Sequence, residues 1–204
     1  MSKGVFIIGA LALGLATPAV AQDVTLSWGA TVTSNYMSRG VSQTGNRAAF
    51  QPWAEVEMNG FYGGIWASNV RIDDDRLEVD LYAGYRFAVN GTSFDLGYAR
   101  YLYDRSGDCC GELYGLVDIE AGSGGAFGGV YLSHEDGLRI ADAHVGVRLS
   151  VMEPLTASAM VGRADSSNYG AIGVSYAVTP NVELDLRYHR GTDNKLVLST
   201  GISF

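Results

Sequence analysis

Residues 76–89 read RLEVDLYAGYRFAV, and the two faces of that stretch ask for two different solvents. Leu77, Val79, Leu81, Ala83, Tyr85, Phe87 and Val89 are apolar, while Glu78, Asp80, Tyr82, Gly84, Arg86 and Ala88 alternate with them. A period of two marks a strand whose successive side chains point to opposite faces. Residues 182–190 do the same, with Val182, Leu184, Leu186 and Tyr188 against Glu183, Asp185, Arg187 and His189. In 139–152, Ala141, Ala143, Val145, Val147, Leu149 and Val151 oppose Asp142, His144, Gly146, Arg148 and Ser150.

Turn signals cut the chain into pieces of similar length. Asn59-Gly60 and Asn90-Gly91 are two-residue hairpin turns, and breaks of Gly, Asp, Pro and Asn separate the rest. Twelve segments result, at about 24–40, 47–58, 61–70, 76–89, 92–104, 112–121, 126–134, 139–152, 155–163, 168–178, 182–190 and 195–204. Most reach the ~9–11 residues that cross a bilayer as a tilted strand. A turn at Asn90-Gly91 pairs residues whose numbers sum to 181, so Phe87 faces Phe94, Arg86 faces Asp95, Gly84 faces Gly97 and Asp80 faces Tyr101. A turn at Asn59-Gly60 pairs numbers summing to 119, so Met58 faces Phe61, Glu57 faces Tyr62 and Trp53 faces Trp66. Both registers set like against like on each face.

Alternation alone suits a soluble sandwich as well as a membrane barrel. Full-length strands, tight turns alternating with longer polar loops, and an export signal favour the barrel. Lys3, the apolar run Val5 to Leu15 and Ala19-Val20-Ala21 have the layout of such a signal, which is too short to span a bilayer. Residues 1–21 are thus expected to be removed, and 22–204 to form a single domain. The expected fold is all-β, a closed antiparallel transmembrane barrel of about twelve strands, with ten or eight as alternative counts. The final strand ends on Phe204 because it must pair with the first to leave no edge. Phe61, Phe87, Phe94, Phe127, Tyr176 and Phe204 are expected in an aromatic girdle at the periplasmic rim, and Tyr36, Phe50, Tyr131 and Tyr188 near the outer one. Arg100 faces outward and must snorkel, while Pro52, lacking an N–H, suggests a bulge.

Without Lys3, 13 basic side chains stand against 22 acidic ones. That balance argues against a nucleic-acid partner. Cys109 and Cys110 are adjacent, and neighbouring Cα atoms sit closer than ordinary disulfide geometry prefers. An oxidised or capped pair in an exposed loop is the plain reading. A redox or metal role, or a link to another chain, are the alternatives.

Ser34-Asn35-Tyr36, Arg39-Gly40-Val41-Ser42-Gln43, GFYGGIWASNV (60–70), EVDLYAGY (78–85), Tyr98 to Tyr103 and GELYG (111–115) resemble Gcw_chp, a family of proteobacterial exported proteins. The resemblance is close over the first half of the mature chain. It implies location and fold and transfers no active site, because the family is functionally uncharacterised.

Alternation turns Glu55, Glu57, Glu78, Asp80, Asp95, Asp118, Glu120, Asp142, Glu183 and Asp185 inward, together with Arg39, Arg86, Arg148, Arg187 and His144. Twelve strands fall between barrels filled by side chains and wide aqueous pores. A narrow, porin-like channel whose acidic lumen prefers cations is the leading expectation. A plugged structural or adhesive barrel is the alternative, since Arg86 with Asp95 can begin a closed ion-pair network. An outer-membrane acyl hydrolase is a second one: His144 lies near Asp142 and His189 near Asp185, yet no G-x-S-x-G selects a serine. No catalytic residue, cofactor or metal site is assigned. Expected partners are outer-membrane lipid and lipopolysaccharide, the barrel-assembly machinery and small cationic solutes. The Asp73-Asp74-Asp75 loop reads as a solvated outer loop, with divalent bridging to lipopolysaccharide as the alternative.

Overall fold

A computed structural model describes residues 11–12, 24–135 and 137–204. Apart from Leu11–Ala12, which pair with Leu26 and Thr25, the expected export signal lies outside the described residues. Twelve long strands follow: β1 (Val24–Thr33), β2 (Ala49–Met58), β3 (Phe61–Ile72), β4 (Asp75–Val89), β5 (Thr92–Tyr103), β6 (Gly107–Ala121), β7 (Gly124–Ser133), β8 (Arg139–Met152), β9 (Leu155–Ala164), β10 (Ser167–Thr179), β11 (Val182–Arg190) and β12 (Lys195–Ser203). Each pairs antiparallel with its sequence neighbours, and β12 pairs with β1 through Ser199↔Thr33 to Ser203↔Gly29. The sheet is a closed barrel, so no long edge is left to template another chain.

The Asn-Gly turns form as their chemistry dictates. Asn59 and Gly60 have φ of 54° and 83°, Asn90 and Gly91 of 52° and 81°, and this left-handed pair twists a two-residue hairpin in the sense its strands need. Both inferred registers are present, including Trp53↔Trp66, Arg86↔Asp95 and Phe87↔Phe94.

The faces are inverted relative to a water-soluble protein. Leu81, Val147 and Leu186 are 47%, 59% and 43% exposed, whereas Glu55 is 6% and Asp142 1% exposed. An apolar band of this extent is stable only against hydrocarbon, and the buried polar groups find partners inside. Phe61, Tyr85, Phe87 and Phe94 form a run of ring contacts on the outer surface near the turn rim. Tyr176 lies outward, and Phe204 stacks on Trp28 at 4.6 Å between centroids where the barrel closes.

Several expectations are corrected. β1 ends at Thr33 rather than near 40, and residues 34–48 fold as a hairpin in the barrel mouth. Tyr36 sits in that hairpin and meets the lumen residue Trp66, so it is not a rim aromatic. Phe127 is no girdle residue: it lies opposite Asp118 and Gly146 on the lumen face. Tyr131, opposite Tyr114, faces the same way and lies under the Arg39 guanidinium. The run GGAFGGVYLS of β7 carries no charge, so alternation could not choose its inner face. The turn at Gly122-Ser123, which seats Phe127 against the acid Asp118, did. No register shift marks Pro52; the β2–β3 ladder begins at Trp53, and beyond it Asn69 bonds the Phe50 N–H and the Ala48 carbonyl. Outward-facing Arg100 pairs with Asp108 at 2.6 Å and with Glu135. Glu135 also accepts the Gly111 N–H, which holds its carboxyl below the usual range. Cys109 and Cys110 are disulfide-bonded to each other and lie within β6 rather than a loop, at a register shift that leaves Cys109 without a partner in β5.

The closing seam is sterically tight. A Cβ on Gly29 would lie 2.3 Å from the Ile202 carbonyl oxygen, whereas one on Gly63 meets nothing nearer than 3.8 Å. Gly29→Ala is therefore expected to destabilise the barrel by about 1–3 kcal/mol, and Gly63→Ala far less. Urea midpoints of the refolded proteins in lipid check this, and equal midpoints would show that the seam yields freely.

Candidate functional site

The lumen has two tiers. Near the turn rim, Arg86 gathers three acids: Nη1 and Nη2 reach Glu55 at 2.5 and 3.0 Å, Nη1 reaches Glu57 at 3.0 Å and Nε reaches Asp95 at 3.1 Å. Its guanidinium carbon lies 3.7 Å from the centre of the Tyr62 ring, and the Tyr62 hydroxyl bonds Asp95 and Tyr114. Arg148 takes Asp118 in both arms at 2.5 Å. Arg187 bonds Asp185 at 2.7 Å and Ser158 at 3.0 Å. These forked pairings use the planar geometry of guanidinium, which an ammonium lacks.

At the outer mouth, residues 34–48 close inward. Met37–Ser38 and Val41–Ser42 pair across a turn formed by Arg39 and Gly40, at φ of 48° and 78°. Asn35 ties the base together, its Oδ1 accepting Ser42 and Thr44 hydroxyls at 2.7 and 2.9 Å. The tip crosses to the far wall, where the Gly40 carbonyl accepts the Asp193 N–H and Asp193 accepts the Ser42 N–H at 2.8 Å. Gly40 leaves no room for a side chain, since a Cβ would lie 2.7 Å from that of Tyr169 and 3.0 Å from the Gly191 Cα. Arg39 reaches Glu112 on β6 with two bonds of 2.8 and 2.6 Å. Burial works against its charge, but the Glu112 carboxylate outweighs that and holds Arg39 above the ordinary arginine value. Burial, with the Glu78 charge behind it, likewise keeps the Tyr36 phenol protonated.

Under the hairpin lies a chamber of about 460 Å³, lined by rings and carboxylates and reached by Tyr36, Arg39, Glu78, Asp80, Glu112 and Asp142. The segments that carry the family resemblance meet around it. By register, Glu55, Glu57, Glu78, Asp80, Arg86 and Asp95 share the inner parity of β2, β4 and β5; Asp118 and Glu120 that of β6; Asp142, His144 and Arg148 that of β8; Glu183, Asp185 and Arg187 that of β11, while Arg39 enters the lumen from the mouth hairpin rather than from a barrel strand. They fall into separate groups rather than one cluster. Glu112 also faces inward; it lies in the expected segment 112–121 at the parity of Asp118 and Glu120, so alternation offered it although it is not among the lumen residues named from the sequence. Tyr62, Tyr82 and Tyr101 lie on the inner face, as their register with Glu57 and Asp80 implies, and Tyr114 joins them; the sequence attaches no lumen role to them because tyrosine suits either solvent.

His144 Nδ1 lies 2.9 Å from Asp142 Oδ2, and the Tyr169 hydroxyl donates to Asp142 Oδ1 at 2.7 Å. Among the described residues no serine hydroxyl bonds His144 or His189, so the geometry of a nucleophile with its base is not assembled. In the Asp73-Asp74-Asp75 turn, Asp75 is buried and accepts the N–H groups of Arg105 and Ser106 and the Ser106 hydroxyl.

Solved structures of similar fold are outer-membrane barrels. The KdgM porin is 7% identical with a TM-score of 0.62, over 88% of this chain and 97% of that one; a second KdgM structure is a complex with oligogalacturonate. Outer membrane phospholipase A from Escherichia coli is 10% identical with a TM-score of 0.50, over 94% of each chain. Comparison with curated proteins finds no match. The fold is thus one shared by porins and by a lipid hydrolase, and it leaves the activity open. The family's sequence model, described as a bacterial protein of unknown function, matches residues 17–193, well beyond the half on which the resemblance rested, and the chain belongs to the Gcw_chp family.

Proposed function

We propose that this protein is a porin-type channel of the bacterial outer membrane, delivered there by its export signal and the barrel-assembly machinery, with a narrow lumen that favours small cations. The observation that carries this reading is the charge of the inner surface. Each lumen arginine is engaged by at least one carboxylate, yet Glu78 and Asp80 retain oxygens without a protein partner. Fixed negative charge within low-dielectric walls raises local cation concentration and repels anions. A polyanion such as the oligogalacturonate of the KdgM complex would meet that repulsion. Lipid and lipopolysaccharide would contact the apolar band and its rims.

Planar-bilayer recording under a salt gradient tests the reading. A reversal potential of cation-selective sign is the expected result; absent conductance would favour a plugged barrel, and anion preference would overturn the charge argument. The proposal is for a transporter without enzymatic activity, so refolded protein is expected to leave phospholipid and ester substrates intact.

A further inference from the structure

Glu78 and Asp80 stand two residues apart on the lumen face of β4. Glu78 is 4% exposed. Its Oε1 accepts the Tyr103 hydroxyl at 3.1 Å, but its Oε2 and the Asp80 Oδ1 are buried with no hydrogen-bond partner in the protein. Carboxylate oxygens withdrawn from water without a donor are costly and uncommon in folded proteins. Both residues line the chamber beneath the mouth hairpin. The guanidinium that shares it, Arg39, is already held by Glu112.

The surroundings of the two acids bear on what they could bind. Trp66 and Tyr101 flank Asp80 on the neighbouring strands, and Tyr103 flanks Glu78. Tyr36 meets Trp66 edge-on at 5.4 Å. Aromatic faces attract cations and shelter hydrocarbon. Among the described residues there is no group of three or more His, Cys, Asp or Glu able to hold a metal ion, so a bare divalent cation would lack the oxygen shell it requires. At about 460 Å³, the chamber falls in the ~300–1,000 Å³ range of small-molecule sites.

We infer that the chamber is a binding site for a small organic ammonium ion, with Glu78 and Asp80 taking the charged head and the rings of Tyr36, Tyr101 and Tyr103 taking its alkyl part. The inference rests on the channel reading for the ligand's route to the chamber, and it narrows the cation to one chemical class.

Isothermal titration of the refolded protein in detergent with n-butylammonium is the test, with n-butanol and calcium as comparison ligands. Saturable binding of the ammonium and none of the alcohol is expected. The double variant Glu78→Gln with Asp80→Asn should weaken binding by about tenfold or more. It should also raise the thermal midpoint of the ligand-free barrel, because it removes charges that lack partners. Glu183→Gln, a lumen change outside the chamber, should leave affinity intact. Should the double variant not fold, Tyr36→Leu removes an aromatic wall of the chamber without touching charge and is expected to weaken binding several-fold. No saturable binding, undiminished affinity in these variants, or calcium binding more tightly than the ammonium would each overturn the site. Bilayer recording separates the two readings: cation-selective conductance without ammonium binding removes the site and leaves the channel, and binding without conductance does the reverse.

Discussion

Arg86→Met should be the most destabilising single change in the lumen, costing about 3–5 kcal/mol. Three carboxylates converge on this one guanidinium, and Glu55 beside it is 6% exposed. Removing the cation leaves Glu55 and Asp95 facing each other without compensation, and like charges in a low-dielectric site repel strongly. Glu57, with its side chain 32% exposed, is the member that water screens, which places the expected cost toward the lower end. The urea midpoint should fall with little change in its slope, since the surface exposed on unfolding is the same. Adding Glu55→Gln in the Arg86→Met background should restore part of the loss, because residues of one network do not act additively. A midpoint unmoved by Arg86→Met would mean that water carries these charges and that the ion pairs are incidental.

The second large effect is on conductance. Arg39 is the tip of the mouth hairpin, and its forked bond to Glu112 holds that tip across the lumen. Arg39→Ala should raise single-channel conductance several-fold and increase cation preference, since it removes both the tether and a positive charge. Glu112→Gln should also raise conductance but lower cation preference, because it leaves the guanidinium and removes the acid. Gly40→Ala keeps every charge while placing a Cβ against Tyr169 and Gly191. It should therefore displace the hairpin and raise conductance with selectivity unchanged. Conductance equal in all three variants to that of the parent would show that the hairpin is no barrier to ions.

How far the site could be read in advance differs from strand to strand. β4 and β5 could be read almost whole, because charged residues mark one face and the Asn90-Gly91 turn fixes their pairing by its length. Glu78, Asp80, Arg86 and Asp95 follow from those facts. Phe127 and Tyr131 could not be placed by alternation, for β7 carries no charged residue and has glycine on both faces. Residues 34–48 were the largest gap. Ser, Asn, Arg and Gly there mark turns, but whether a turn points to water or back into the barrel depends on walls contributed by β6, β10 and the 191–194 loop.

Period-two alternation and turn length are local properties, set by the geometry of a few consecutive residues. From them the chain by itself determined most of its strands, the register of its two Asn-Gly hairpins and which side of each charged strand faces water. Partnership across the lumen is different, since Arg39 and Glu112 lie 73 residues apart. Only barrel closure brings such groups together, so only the tertiary structure decided which acids are neutralised, which oxygens stay unpaired and what stands across the mouth.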